Sequence, residues 1–334
     1  MSLTTRKYKE HILGSKIDKI LSMINAGELN LERCQKKNKI SQAEMNDRIR
    51  QALLTIKKKL KDDHVTVSYS YTIPQFGRVY AKKPYCSIGS LPREIRGTLA
   101  SDYYVDIDIN NCHPVLLVQL CDKHKINCSA LRTYVNNRDD YLNKVIQEYQ
   151  CSRDDAKTLF LELMYGGSYK AWSANIGTDK KEPVWLLEII NNIKGVYPDL
   201  LEHYNEEIKL LQEHGKPEKE HNKEAAIIAW ILQDLECQIL NIMVDYLSRY
   251  GKGVNNVVLC FDGFMMMKDK FNPQLLPALE NEVYKKTGFM IKLSTKPFTT
   301  IDLPESTEVV DTNYIAPPTD YFDLDVFNNC SYTS

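Results

Sequence analysis

Three groups of residues in this chain have the types and spacing for chemistry. Asp106 and Asp108 stand two apart in YYVDIDI, residues 103–109. Arg153, Lys157 and Tyr165 are spaced by four and then eight. Asp262 precedes Gly263 between two apolar runs in VVLCFDGFMMM. Carboxylates delivered by separate strands can hold two magnesium ions about 3.5–4 Å apart, one activating a hydroxyl and one steadying a leaving pyrophosphate. Magnesium takes oxygen ligands and shares its shell with substrate phosphates. Asp106 and Asp108 project to one side of a strand, because side chains alternate with period two. Asp108, nearer the strand end, is the expected ligand of both ions. Arg153 and Lys157 share a helix face that Leu161 and Tyr165 continue. Two cations and an aromatic on one face suit a triphosphate and a base or sugar, since phosphoryl transfer rests on positioning and charge neutralisation.

Each group also has an ordinary reading. Asp-Gly is a common hairpin turn, an Asp pair before a helix is a common capping or loop feature, and Arg153–Lys157 alone reads as a solvated face. The order of the three groups is what gives them weight.

The elements that must position them follow from pattern. Residues 103–109 predict a buried strand, followed by a helix over 113–121 that Asn110 or Asn111 could cap. Ser152 predicts an N-cap, with Asp154 and Asp155 in the first helical turn and a stop at Gly166–Gly167. Further helices are expected at 183–194, 198–213, 222–249 and 272–287. Residues 254–268 predict a hairpin and 289–295 a strand. Upstream, residues 5–62 read as helices, 64–73 as a strand and 76–97 as a basic loop.

The chain has 334 residues, about two domains' worth at roughly 150 residues each. Its net charge of -1 hides an asymmetry. Residues 1–97 hold 20 Lys+Arg against 9 Asp+Glu, and the remainder holds 23 against 35. A basic segment of this kind suits a polyanion. Residues 302–334 carry seven acids and no Lys or Arg, which predicts an acidic tail or linker. The longest purely apolar stretch, around 225–232, falls short of the roughly 18–20 residues that span a bilayer, so no membrane is expected. The polar MSLTTRKYKEH start has no apolar signal core. Nine scattered cysteines without a CxxC pair argue against a zinc ribbon or a disulfide framework, and free thiols suit an intracellular, reducing compartment. His64, His124, His203, His214 and His221 show no ligand spacing.

The motif order resembles the family A DNA polymerases and is similar to the related single-subunit phage-type RNA polymerases. Motif A resembles VDIDINNCHPVLLVQL, with Asp108 at the metal position. Motif B resembles Arg153-DDA-Lys157-TLFLELM-Tyr165-Gly166, and motif C resembles VVLCFDGFMMM with Asp262. Gly77, Arg78, Arg93 and Arg96 match the segment before motif A, and Gln233 and Glu236 match the helix before motif C. The match covers about residues 70–300. Departures bring it closer to the divergent transposon- and virus-associated TV-Pol group. His113 stands where motif A normally has Glu, Leu161 replaces the motif B aromatic, and motif C reads Phe261-Asp262-Gly263. These leave the choice between dNTP and NTP open.

The resemblance implies an α+β right-hand polymerase fold with an antiparallel palm sheet, helical fingers and a small helical thumb. Residues 1–65 would be the basic thumb, 66–112 and 253–301 the palm, 113–252 the fingers and 302–334 the tail. The palm would combine the motif A strand, the motif C hairpin and the strands near 66 and 291. The resemblance further implies a DNA polymerase that uses two Mg2+ ions, with Mn2+ able to substitute. Asp108, Asp262 and the Ile109 carbonyl would be the ligands. Lys157 would be catalytic, and Arg153, Lys157, Tyr165 and His113 would bind the nucleoside triphosphate. Arg78, Arg93, Arg96, Gln233, Glu236 and Lys57, Lys58 and Lys59 would meet primer-template DNA. Priming and RNA synthesis stay open. Relatives of this group often stand beside a superfamily 3 helicase, although no helicase motif occurs in this sequence. Two other classes compete: a metal-dependent nuclease or phosphohydrolase using the same carboxylates, and an inactive nucleic-acid-binding replication module.

Overall fold

The structure, a computed structural model, describes residues 2–31, 40–83, 86–216, 222–251 and 253–305. His221 and all but the first few residues of the acidic stretch after 301 lie outside the described residues.

The N-terminal part contains β1 (Tyr8–His11), α1 (Gly14–Ala26), α2 (Gln42–Lys59), β2 (His64–Val67), β3 (Tyr69–Ile73) and β4 (Phe76–Ala81). Apolar residues at helical spacing bury one face of each helix: Ile17, Ile20, Leu21 and Ile24 on α1, and Met45, Ile49, Leu53 and Ile56 on α2. Here the structure corrects three expectations. Residues 8–11 are a strand, not a helix, and β1 pairs antiparallel with β2 in the register Tyr8↔Val67. The expected strand over 64–73 is two strands, β2 on β1 and β3 on β4, so the strand near residue 66 is not part of the sheet that carries Asp108. The basic loop expected over 76–97 holds β4 and then α3 (Arg93–Ala100). Its charge misled because Arg78 is buried as half of an ion pair, inside a strand whose first four residues are all buried.

The central sheet is four-stranded and antiparallel, in the order β6 (Val258–Cys260), β7 (Gly263–Met267), β5 (Tyr104–Ile109), β8 (Leu293–Lys296). Asp108 lies opposite Gly263 on one side and Ser294 on the other. The β6–β7 hairpin forms where Asp262–Gly263 predicts it, but the strained residue is Phe261, at φ 41°. Gly263 is needed for closeness: a Cβ there would lie 2.1 Å from the Ile107 carbonyl oxygen, so only glycine lets β7 close on β5.

Helices α4 (Cys112–His124), α5 (Ser129–Asn136), α6 (Arg138–Tyr149), α7 (Arg153–Met164), α8 (Tyr169–Asn175), α9 (Val184–Leu201), α10 (Asn205–Glu213) and α11 (Lys223–Arg249) separate β5 from β6, and α12 (Leu275–Thr287) precedes β8. Ser152 and Asp155 form a reciprocal capping box at the start of α7. The helix stops before Gly166, whose φ of 77° brings it so close to α11 that a Cβ would meet Ala225 and Asn222 at 2.8 Å. The break expected near residue 195 is absent. Pro198 lies inside α9, where burial of Ile193, Val196, Tyr197 and Leu200 along one face outweighs the hydrogen bond that proline removes.

Helix α11 packs against β4, α4, α9 and α12. By length and composition it is apolar enough to cross a membrane, but 61% of that apolar window is buried inside this fold. It also carries the buried Gln233 and Glu236.

The N-terminal segment is tied to the rest by polar contacts. Leu3 N–H donates to Asn241 Oδ1 at 3.1 Å, Arg6 Nη1 to Ser248 Oγ at 3.0 Å, and His11 N–H to the Tyr104 hydroxyl at 2.6 Å. Glu10 is fully buried and accepts from the Tyr69 hydroxyl, Ser87 Oγ and the Ile88 N–H, each at 2.8 Å. Burial pushes its carboxyl up to about 7, even though these three donors pull the other way.

Candidate active site

Asp108 and Asp262 meet at one end of the central sheet. Asp108 is next to last on β5, and Asp262 occupies the β6–β7 turn beside it; the Ile109 N–H donates to the Asp262 carbonyl at 3.0 Å. Ile109 itself is buried. The Asp108 side chain is only 7% exposed, and the Lys296 ammonium, from the end of β8, pairs with its Oδ2. Burial lowers the Lys296 ammonium to about 8, with Asp106 opposing and Arg93 and Arg96 adding to that shift. Asp106 faces the same charges. Burial pushes its carboxyl up, while Arg96, Lys296 and Arg93 restrain the rise.

Beside Asp262 opens a cleft lined by Arg78, His113, Arg138, Leu161, Tyr165 and Asp262, among others. Its floor is a chain of four side chains, three of them buried and the fourth, Tyr165, half-buried. Arg78 donates to Glu236 through Nε–Oε2 at 2.5 Å and Nη2–Oε1 at 2.9 Å. His113 Nε2 lies 3.3 Å from Glu236 Oε1, and His113 Nδ1 pairs with the Tyr165 hydroxyl. His113 thus stands between the Glu236 carboxylate and the Tyr165 hydroxyl, close to the first and paired with the second. Burial would raise the Glu236 carboxyl, but Arg78 and His113 outweigh it and hold it at about 2. The Arg78 guanidinium also lies over the Phe261 ring, 4.3 Å from its centroid. This ties the chain to the turn that carries Asp262.

Cys112, His113 and Glu236 offer metal-ligand atoms within 4.8 Å of one another. They do not suit an ion. Both Glu236 oxygens already receive Arg78, and His113 Nδ1 is taken by Tyr165. Burial, with Glu236 and Asp262 adding to it, pushes the Cys112 thiol well above its ordinary value, whereas a metal binds the thiolate.

The structure brings Arg78, His113, Tyr165, Glu236 and Asp262 together at this cleft, with Asp108 on the adjoining strand. Arg153 and Lys157 lie on α7 as expected, but each has a protein partner. Arg153 pairs with the exposed Asp139 at 2.5 Å, and Lys157 lies 3.7 Å from Asp154. Burial lowers the Lys157 ammonium, Asp154 opposes, and Arg138, Arg153 and Arg93 push it further down. These four cations therefore share one neighbourhood. Arg96 donates to the Gly89 carbonyl at 3.1 Å, and Arg93 is exposed. Gln233 is buried. Lys57, Lys58 and Lys59 are on α2, outside the cleft lining, with Lys57 paired to Asp18 at 2.5 Å. The expected cap on α4 is not made: Asn111 adopts a left-handed conformation without capping, and Asn110 Oδ1 accepts from Ser294 Oγ.

Sequence reasoning missed two cations. Arg138 opens α6 and lines the cleft, with its buried Nε unmatched by any hydrogen-bond acceptor. No spacing links it to α7. Lys296 reaches Asp108 only through the β5–β8 register, which puts Asp106 opposite Lys296.

No family model matches the chain. A 242-residue stretch, 69% of the chain, is 34% identical to "Putative helicase V13" of Sputnik virophage. The chain spans only 29% of that relative's length. Among solved structures it is similar to the POL domain of Pol1 from M. smegmatis, in a complex with DNA primer-template and dNTP. That similarity has a TM-score of 0.45 at 11% identity, covering 77% of this chain and 51% of the other.

Proposed function

We propose that this chain is a template-directed nucleotidyltransferase, a DNA polymerase of the TV-Pol kind, acting in replication of a virus or mobile element. The observation that carries the reading is the meeting of Asp108 on β5 and Asp262 in the turn before the paired β7, beside a cleft lined by Tyr165, His113, Arg78 and Arg138. The donor set suits hard divalent ions, and the Lys296 ammonium already stands as a cation on Asp108. Asp108, Asp262 and the Ile109 carbonyl would hold two Mg2+ ions, or Mn2+ in their place. Once bound, such ions activate the primer hydroxyl and neutralise the departing pyrophosphate.

The protein's own groups do the positioning. Lys157, Arg153 and Arg138 take the triphosphate. Arg153 gives up only an exposed partner in doing so, which costs little. Tyr165 lies against the sugar and base, and His113 sits beneath them, fixed by Glu236 and Arg78. Buried as they are, Arg78 and Glu236 act by holding this floor, with Gln233 on the same helix. Arg93 and Arg96 meet template or primer phosphates, and Lys57, Lys58 and Lys59 add non-specific backbone attraction. In this reading the four-stranded sheet is the palm, the helices from α4 to α11 are the fingers, and the basic N-terminal segment is the thumb. The virophage relative is named a helicase, and most of its length lies outside the match. We therefore place a helicase beside this unit, in the same or a neighbouring chain. Free cysteines fit an intracellular, reducing site.

Primer extension on templated DNA with Mg2+, offering dNTPs and NTPs separately and with an unprimed control, tests the proposal. Asp108→Ala and Asp262→Ala should each abolish extension while DNA binding persists. Normal extension by both variants would overturn the metal assignment, and primer degradation by the wild type would make the protein a nuclease.

A further inference from the structure

Asp108 is buried, and a carboxylate in that position is costly to desolvate unless a cation accompanies it. Lys296 supplies that cation from the neighbouring strand. The Lys296 side chain is 29% exposed and has a flexible four-carbon stem, so it can move without disturbing the sheet. A second carboxylate lies within its reach: Asp106 faces Lys296 directly in the strand register, two residues before Asp108 and on the same side of β5. Asp106 has no place in the proposed two-ion chemistry, yet its neighbours are Lys296, Arg93 and Arg96.

We infer that Lys296 is the resident counter-ion of Asp108 in the metal-free protein and that Asp106 is its alternative seat. An incoming divalent ion displaces the ammonium from Asp108 towards Asp106, and the site returns to the Lys296-paired state when the ion leaves. Lys296 is thus a positioning residue that sets how tightly the site holds metal. The inference rests on Asp108 being a metal ligand.

Mn2+ binding to the nucleic-acid-free protein, measured by titration calorimetry and by loss of the free-ion paramagnetic signal, tests it. Lys296→Met removes the competing charge and should bind Mn2+ about tenfold more tightly or better. Its melting temperature should drop in EDTA and recover with Mn2+, whereas the wild type should respond far less. Lys296→Arg keeps the charge and should keep wild-type affinity. Asp106→Asn removes the alternative seat and should weaken Mn2+ binding. If Lys296→Met and Lys296→Arg both bind Mn2+ like the wild type while Asp108→Ala does not bind it, the counter-ion role is wrong and the metal site stands. If Asp108→Ala leaves Mn2+ binding unchanged, the metal site and the counter-ion role both fall.

Discussion

Arg78 and Glu236 are 158 residues apart in sequence and form a two-point ion pair that is almost wholly withdrawn from water. The pair links β4 to α11. Through His113 and Tyr165 it reaches α4 and α7, and through Phe261 the hairpin that carries Asp262. Five elements around the cleft are therefore joined through this one ion pair.

Removing one partner of this pair strands the other. Glu236→Gln and Arg78→Met should each lower unfolding free energy by about 3–5 kcal/mol in urea melts, and the double substitution Arg78→Met/Glu236→Leu should lose less than either. Equal or larger loss in the double variant would show that the pair contributes by attraction alone.

Glu10 gives a pH signature of its own. Its carboxyl is raised from an ordinary 4.5 to about 7, so the protonated form is favoured by folding. Its stabilising contribution is complete below about pH 4.5 and is lost as pH rises through about 7, a fall of roughly 3 kcal/mol. Glu10→Gln should flatten that fall in chemical denaturation followed from pH 4 to pH 8. An unchanged slope would assign the pH dependence elsewhere.

Arg138 and Arg153 should differ as nucleotide ligands. Arg138 lines the cleft with the neutral Tyr134 hydroxyl as a partner, whereas Arg153 is outside the lining and paired with the Asp139 carboxylate. A charge-assisted hydrogen bond is worth about 1.5–3 kcal/mol, so Arg138→Ala should raise the nucleotide KM by about tenfold or more. Arg153→Ala should raise it less, and Asp139→Ala should lower it. Steady-state extension kinetics decide the order.

The parts of the site that were legible in sequence are those fixed by local rules. The capping box at Ser152 and Asp155, the β-formers around Asp106 and Asp108, and the Asp262–Gly263 turn each sit within a few residues of what determines them. The carboxylate pair and the α7 row could therefore be named in advance. What escaped depends on register and on distant partners. Lys296 meets Asp108 only because β8 aligns with β5 at one offset. The strand at Tyr8–His11 is four residues long, and its partner lies more than fifty residues away, so helical spacing nearby overshadowed it. Arg78 read as a loop cation because its charge was visible and its burial was not.

The bonds from Leu3, Arg6 and His11 to Asn241, Ser248 and Asn256 span 238, 242 and 245 residues. Contacts of such separation are slow to form, because a long loop must close before they return any free energy. At about 5–20 residues per second of synthesis, Leu3 and Arg6 wait roughly ten seconds or more for α11 to be made. The contacts of Leu3 and Arg6 with α11 are therefore a latch that closes after β1 has paired with β2, and until then the flank of α11 that they cover is open to whatever it meets.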